Sequence, residues 1–152
     1  MSTLFWPVEG IFYRAVKPDF LDHVLDPPHT KSAGRYHRPG EPALYMSPEL
    51  EWSRIAVSGY MREDNEPRLI VPLEVKNAFV LDQRNEETCR ILGIDRELSN
   101  QPWRPALESG EIPPSWTNSD AVRNAGADGI IDRSRHIPDG WHLNLFRWNI
   151  PG

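Results

Sequence analysis

The residue types able to do chemistry cluster around two arginines and a tyrosine. Arg14 interrupts the otherwise apolar run FYRAV. A buried guanidinium is costly unless something anionic pairs with it, so Arg14 is either a solvent-facing strand residue or an anion contact. Arg35 lies in AGRYHRPG, where arginine, an aromatic ring and His37 stand between glycines. A guanidinium grips phosphate oxygens two at a time and a neighbouring ring offers a stacking face, whereas a solvated loop is the plain alternative. Tyr45 follows in ALYM and is placed either to stack on a flat base or to fill the core.

Other chemistries lack their residues. The five histidines have no partner at the i, i+4 spacing of a helical metal site, and no acidic cluster accompanies them, so no metal is expected. Cys89, the single cysteine, reads as a core helix position. Ser134 is followed closely by His136, but adjacency in sequence does not make a dyad, and no G-x-S-x-G elbow is present. Glycine-rich dinucleotide and Walker loops are absent too.

The elements that must position these residues are short. Gly10–Val16 and Ala43–Met46 read as strands, with a long Pro/His/Gly-rich loop from Pro18 to Gly40 between them. Ser47 reads as the N-cap of a helix from Pro48 to about Tyr60. Leu69–Val75 and Ala78–Leu81 read as two strands, with Pro72 suggesting an edge. Asn85 caps a short helix ending at Gly93, and Asn118 or Ser119 caps another that stops at Gly126. Gly129–Ile131 and Leu143–Trp148 close the chain as strands. Without a regular βαβ beat, the expectation is α+β with a mixed sheet.

The chain of 152 residues fits one domain, expected over 1–152, and its 39% hydrophobic content can form a core. Fifteen prolines argue against a helical bundle, and a net charge of -5 argues against general nucleic-acid binding. The first residues carry no basic-then-apolar leader, and no segment reaches the ~18 apolar residues of a membrane span, so the cytoplasm is the expected compartment.

Order and spacing are more specific than any single residue. Tyr13-Arg14, then GRYHRPGEPALYMS from Gly34 to Ser47, resembles the amino-terminal half of RES domains. LIVPLEVKNAFVLDQRNEE is similar to the family's central strands, and AVRNAGADGIIDRSR followed by LNLF to its closing helix, strand, turn and strand. The resemblance implies a fold similar to ADP-ribosyltransferases, with a split mixed sheet around a cleft for NAD as substrate. It implies destruction of NAD by phosphorolysis or hydrolysis, or transfer of ADP-ribose to a protein, with neutralisation by an Xre-type antitoxin. Under it Arg14 and Arg35 hold the pyrophosphate and ribose side, with Tyr13 and His37 beside them. Tyr45 packs on the nicotinamide ribose or ring, and Ser134 positions at the cleft. The family's glutamate, on the helix after the L-Y strand, falls near Ala56, or near Arg54 with a short deletion. Glu51, on the same expected helix, is the nearest choice for a catalytic carboxylate, ahead of Glu49 and Glu63.

Overall fold

The structure, a computed structural model, describes residues 4–149; the first three residues of the stretch read as leaderless lie outside it. Strand β1 (Trp6–Val16) pairs antiparallel with β3 (Leu69–Asp82), from Trp6 opposite Val80 to Val16 opposite Leu69. A bulge between Val8 and Gly10 interrupts the ladder, and Gly10 takes a φ of 136° there that only glycine adopts readily. β4 (Gly129–Arg133) runs parallel to the end of β3, β5 (Trp141–Leu145) antiparallel to β4, and β2 (Leu44–Met46) antiparallel to β5. The five-stranded order is β1-β3-β4-β5-β2. The sheet curls until its two edges touch: Tyr13 N–H donates to the Ser47 carbonyl at 2.7 Å, and Ser47 N–H to that of Tyr13 at 2.9 Å.

Strand alternation sorts the side chains onto two faces. Inside the curl, Val8, Phe12, Leu44, Met46, Val80, Ile131, Leu143 and Leu145 form one apolar cluster. On the other face Leu81, Ile130 and Phe146 pack with Tyr36, Cys89 and Val122. Ile130, Ile131 and Leu143 are fully buried, and each such aliphatic contributes about 1.5–3 kcal/mol relative to exposure.

The mixed α+β expectation holds, with shifted boundaries. β1 starts at Trp6 and β5 at Trp141, earlier than expected, and β5 ends at Leu145. The two strands expected from Leu69 to Leu81 are one continuous β3, bent through Asn77, whose φ is 57°. Pro72 stands opposite Tyr13 in a stretch of β3 whose other edge is free, because β4 meets only Val80–Asp82. In helix α1 (Leu50–Asp64) the N-cap position falls to Glu49, without a side-chain cap bond, and not to Ser47, whose backbone is committed to β1. The helix outlasts Tyr60 and stops at Asn65, which adopts the left-handed conformation.

Asn85 does cap α2 (Glu86–Leu92), accepting from Thr88 N–H, and Gly93 ends it. The long loop contains a 3-10 turn at Pro18–His23. Two short helices were not expected, α3 (Arg96–Asn100) and α4 (Trp103–Glu108). Proline-flanked segments of five and six residues carry too little periodicity to read. Helix α5 (Ser115–Asn124) begins one turn before the expected cap, with Asn118 and Ser119 buried inside it.

Candidate functional site

Where the sheet edges touch, Arg14 reaches from β1 and donates to the Tyr45 carbonyl at 3.3 Å. Its Nε is buried and unpartnered. Burial, partly offset by Tyr45, lowers the guanidinium's pKa. Leu44 and Met46 take the inner face, so Tyr45 projects to the other, toward the Gly34–His37 loop. Its hydroxyl accepts from Tyr36 N–H at 3.2 Å and lies 2.7 Å from His37 Nδ1. His37 Nε2 is buried without a partner. Burial, with the Arg123 charge next, pushes the His37 pKa down to about 4, so the ring is neutral. Arg14 Nε and His37 Nε2, both buried and unpartnered, therefore stand at opposite ends of Tyr45.

Arg35 projects from the same loop and donates to the carbonyls of Ser99, at 2.6 Å, and Gln101, at 2.8 Å. The α5 amino terminus fastens its backbone: Ser115 Oγ donates to the Arg35 carbonyl and Trp116 Nε1 to that of Gly34, the latter at 2.8 Å. Arg135 meets the same Ser99 carbonyl at 3.3 Å while holding Asp132 at 2.6 and 3.0 Å. Burial and then repulsion from Arg135 lower the pKa of Arg35. The hydrogen bonds of Arg14 and Arg35 go to backbone carbonyls, and neither forms an ion pair among the described residues.

Beneath Arg35 lies a buried polar network. Ser99 Oγ donates to Gln83 Oε1 and accepts from Asn118, each at 2.7 Å. The Gln83 amide donates to the Tyr36 hydroxyl at 3.3 Å and to Asp132 at 3.4 Å. Desolvation raises the pKa of Asp132 against the opposing pull of Arg135. Such a network, each member satisfied, holds one arrangement. It joins residues from the turn after β3, α3, α5 and β4, and sequence reading missed it. The one local signal was an acid, Asp132, inside the apolar strand GIIDR.

The structure thus brings together Arg14, Arg35, His37 and Tyr45, with Tyr13 beside them through its backbone. Ser134 lies in the β4–β5 turn, its Oγ accepting from His136 N–H at 3.2 Å and Ile137 N–H at 3.1 Å. With Arg84, Arg135 and His136 it lines an open pocket of about 470 Å³. Glu51 stands on the first turn of α1, its side chain 58% exposed and paired with Arg54. No hydrogen bond or ion pair joins it to Arg14, Arg35 or Tyr45. A pair not foreseen is Ser47 and His142, 2.7 Å apart on the Tyr45 face, with the imidazole held neutral by burial at a pKa of about 4. No group of metal-ligating side chains assembles among the described residues.

A sequence profile of the RES domain matches residues 11–152. The chain belongs to the RES domain family. The resemblance carried by Tyr13-Arg14 and the Gly34–Ser47 run is therefore borne out across nearly the whole chain. This RES domain shares its fold with a chain of the crystal structure of the M. tuberculosis MbcT–MbcA toxin–antitoxin complex. The TM-score is 0.67 at 13% identity, covering 93% of this chain and 75% of that one. No curated protein sequence matches significantly.

Proposed function

We propose that this RES domain is the toxin of a toxin–antitoxin pair and depletes NAD by cleaving its nicotinamide N-glycosidic bond. The observation that carries the reading is the pair of guanidiniums without carboxylate partners, Arg14 and Arg35, flanking Tyr45. A diphosphate supplies the negative charge that both lack. Family membership and the fold shared with a toxin–antitoxin structure support the same reading. An antitoxin of the Xre type, acting with it in the cytoplasm, is the proposed partner.

In the reaction the bond between ribose C1′ and nicotinamide nitrogen breaks, and neutral nicotinamide leaves with the electron pair. C1′ passes through an oxocarbenium-like state and takes an oxygen from phosphate or water, whose proton goes to solvent. Arg14 and Arg35 fix the diphosphate, and the Tyr45 ring, held by His37 and Tyr36, packs against the ribose or nicotinamide. Fixing the remote phosphates lets binding energy act on the geometry at C1′. A carboxylate stabilises the developing cation, and Glu51 is the proposed group, reaching the cleft by leaving Arg54.

The decisive experiment incubates purified protein with NAD, with and without inorganic phosphate, and follows nicotinamide release. Release that needs phosphate identifies phosphorolysis; release without it identifies hydrolysis. Labelling of an added protein by ADP-ribose identifies transfer. Glu51→Gln is expected to lower turnover about 100-fold, or about 2.7 kcal/mol, with NAD affinity little changed. The exposed Glu51–Arg54 pair favours a second reading, a RES-fold module that binds NAD or a partner without turnover. NAD binding with no nicotinamide release, and normal growth on expression without an antitoxin, would establish that reading.

A further inference from the structure

Near Arg35 stands an exposed arginine–aromatic cluster that the proposed chemistry does not use. Arg35 holds the Gln101 carbonyl at 2.8 Å, and Trp103 and Arg104 follow within two and three residues at the start of α4. The Arg104 guanidinium lies 5.0 Å from the centre of the Tyr60 ring and 5.3 Å from that of Trp103. One of its nitrogens contacts both oxygens of Glu63 at 3.2 Å, which steadies the guanidinium. Tyr60 is 39% exposed and the Arg104 side chain 40%, so the cluster faces solvent. Tyr60 also sits close enough to Arg35 and Tyr45 for its phenol to act electrostatically on both.

We propose that Tyr60, Arg104 and Trp103 form the surface on which the adenine ring of the dinucleotide lies; this rests on the NAD reading above. A diphosphate at Arg35 puts the adenosine half within reach of this cluster, because Arg35 holds the carbonyl of Gln101, two residues before Trp103. On one side Tyr36 and the Gln83–Ser99–Asp132 network fill the space. On the other, the chain runs from Gln101 into the arginine–aromatic cluster. The Glu63–Arg104 ion pair joins α4 to α1 beside the rings. Half-exposed rings around that guanidinium are what a purine uses, because every base offers a π face to an aromatic or guanidinium plane. Hydrogen-bond readout of the base edge is not required, so adenine is held here by stacking.

The test measures binding of AMP, ADP-ribose and nicotinamide mononucleotide to the full chain by titration calorimetry. Tyr60→Ala and Arg104→Ala are expected to weaken AMP and ADP-ribose by roughly ten-fold, the scale of one lost base–aromatic stack. Nicotinamide mononucleotide should bind the variants as it binds the parent, and Tyr60→Phe, which keeps the ring, should restore AMP. Unchanged AMP affinity in both alanine variants overturns the proposal, as does equal weakening of AMP and nicotinamide mononucleotide. A parent chain that binds nicotinamide mononucleotide but not AMP overturns it too, and leaves the NAD reading standing. A parent that binds none of the three, nor NAD, removes both.

Discussion

Burial opposes charge at Arg14 and at Arg35, yet neither forms an ion pair with an acid among the described residues; Asp132, near Arg35, is held by Arg135. Each guanidinium keeps only backbone carbonyls, the weaker half of what it can bind. A ligand phosphate at Arg35 adds a charge-assisted contact, so Arg35→Ala should weaken NAD binding by about 1.5–3 kcal/mol. His37 touches Tyr45 through a single neutral bond, so His37→Ala should cost only about 1 kcal/mol. Calorimetric affinities that fall equally in both variants would exclude the phosphate role of Arg35. Gly34 offers a second test at this scale. A Cβ there would stand 2.6 Å from His37 Cε1 and 2.8 Å from the Tyr45 hydroxyl. Gly34→Ala is therefore expected to displace the His37–Tyr45 pair and weaken NAD binding, with the thermal midpoint changed by only a few degrees. Parental affinity in that variant would show that the pair does not set the site.

The sheet holds the site because its strands cannot separate. Gly129 opens β4 between Val80 of β3 and Leu145 of β5. A Cβ at Gly129 would lie 2.2 Å from the Asn144 carbonyl oxygen and 2.9 Å from Leu145 Cα, both backbone atoms that side-chain rotation cannot move. Asn144 is the residue opposite Tyr45, so the strain would pass directly to β2. Gly129→Ala should destabilise the fold at or beyond the upper end of the roughly 1–3 kcal/mol typical of overpacking. Urea unfolding reads this as a lower midpoint at unchanged slope, and a midpoint equal to the parent's would contradict the packing argument. The network from Gln83 to Asn118 plays the matching part on the helical side, tying α3 and α5 to the strand ends.

At the scale of the whole molecule, two buried neutral histidines couple folding to pH. His37 and His142 take up protons only near pH 4 when folded, whereas an unfolded histidine does so near 6.5. Between those values the unfolded chain binds more protons, so acid favours unfolding. The stabilisation is whole above about pH 6.5 and is lost progressively toward pH 4. Asp132, whose pKa is raised, works in the opposite sense, because its folded form gains protons first as pH falls. Comparing the parent with His37→Gln cancels that contribution. The variant's urea-derived stability should decline less steeply between pH 6.5 and 4, and parallel declines would mean that His37 does not titrate as its burial requires.

Family and fold class were legible in the sequence because both rest on local order. Tyr13-Arg14, the Gly34–Ser47 run and the closing GIIDR strand occur in one sequence, and alternation assigns their inner and outer faces. The strand after Ala43, the Asn85 cap and the stop at Gly126 were legible for the same reason, since turns and caps depend on neighbours. Ser47 shows the limit: its type and the following proline suit a helix cap, but β1 takes its backbone. The partners of Arg35 lie 64 and 66 residues away, in and just after a helix too short to announce itself. Gln83 meets Asp132 only once β3 pairs with β4, 49 residues on, whereas Arg135 holds Asp132 locally and Glu51 is drawn to Arg54 one turn along its own helix. Residue type determines which chemistry is available; which groups meet depends on long-range strand pairing, and only the tertiary structure decides that.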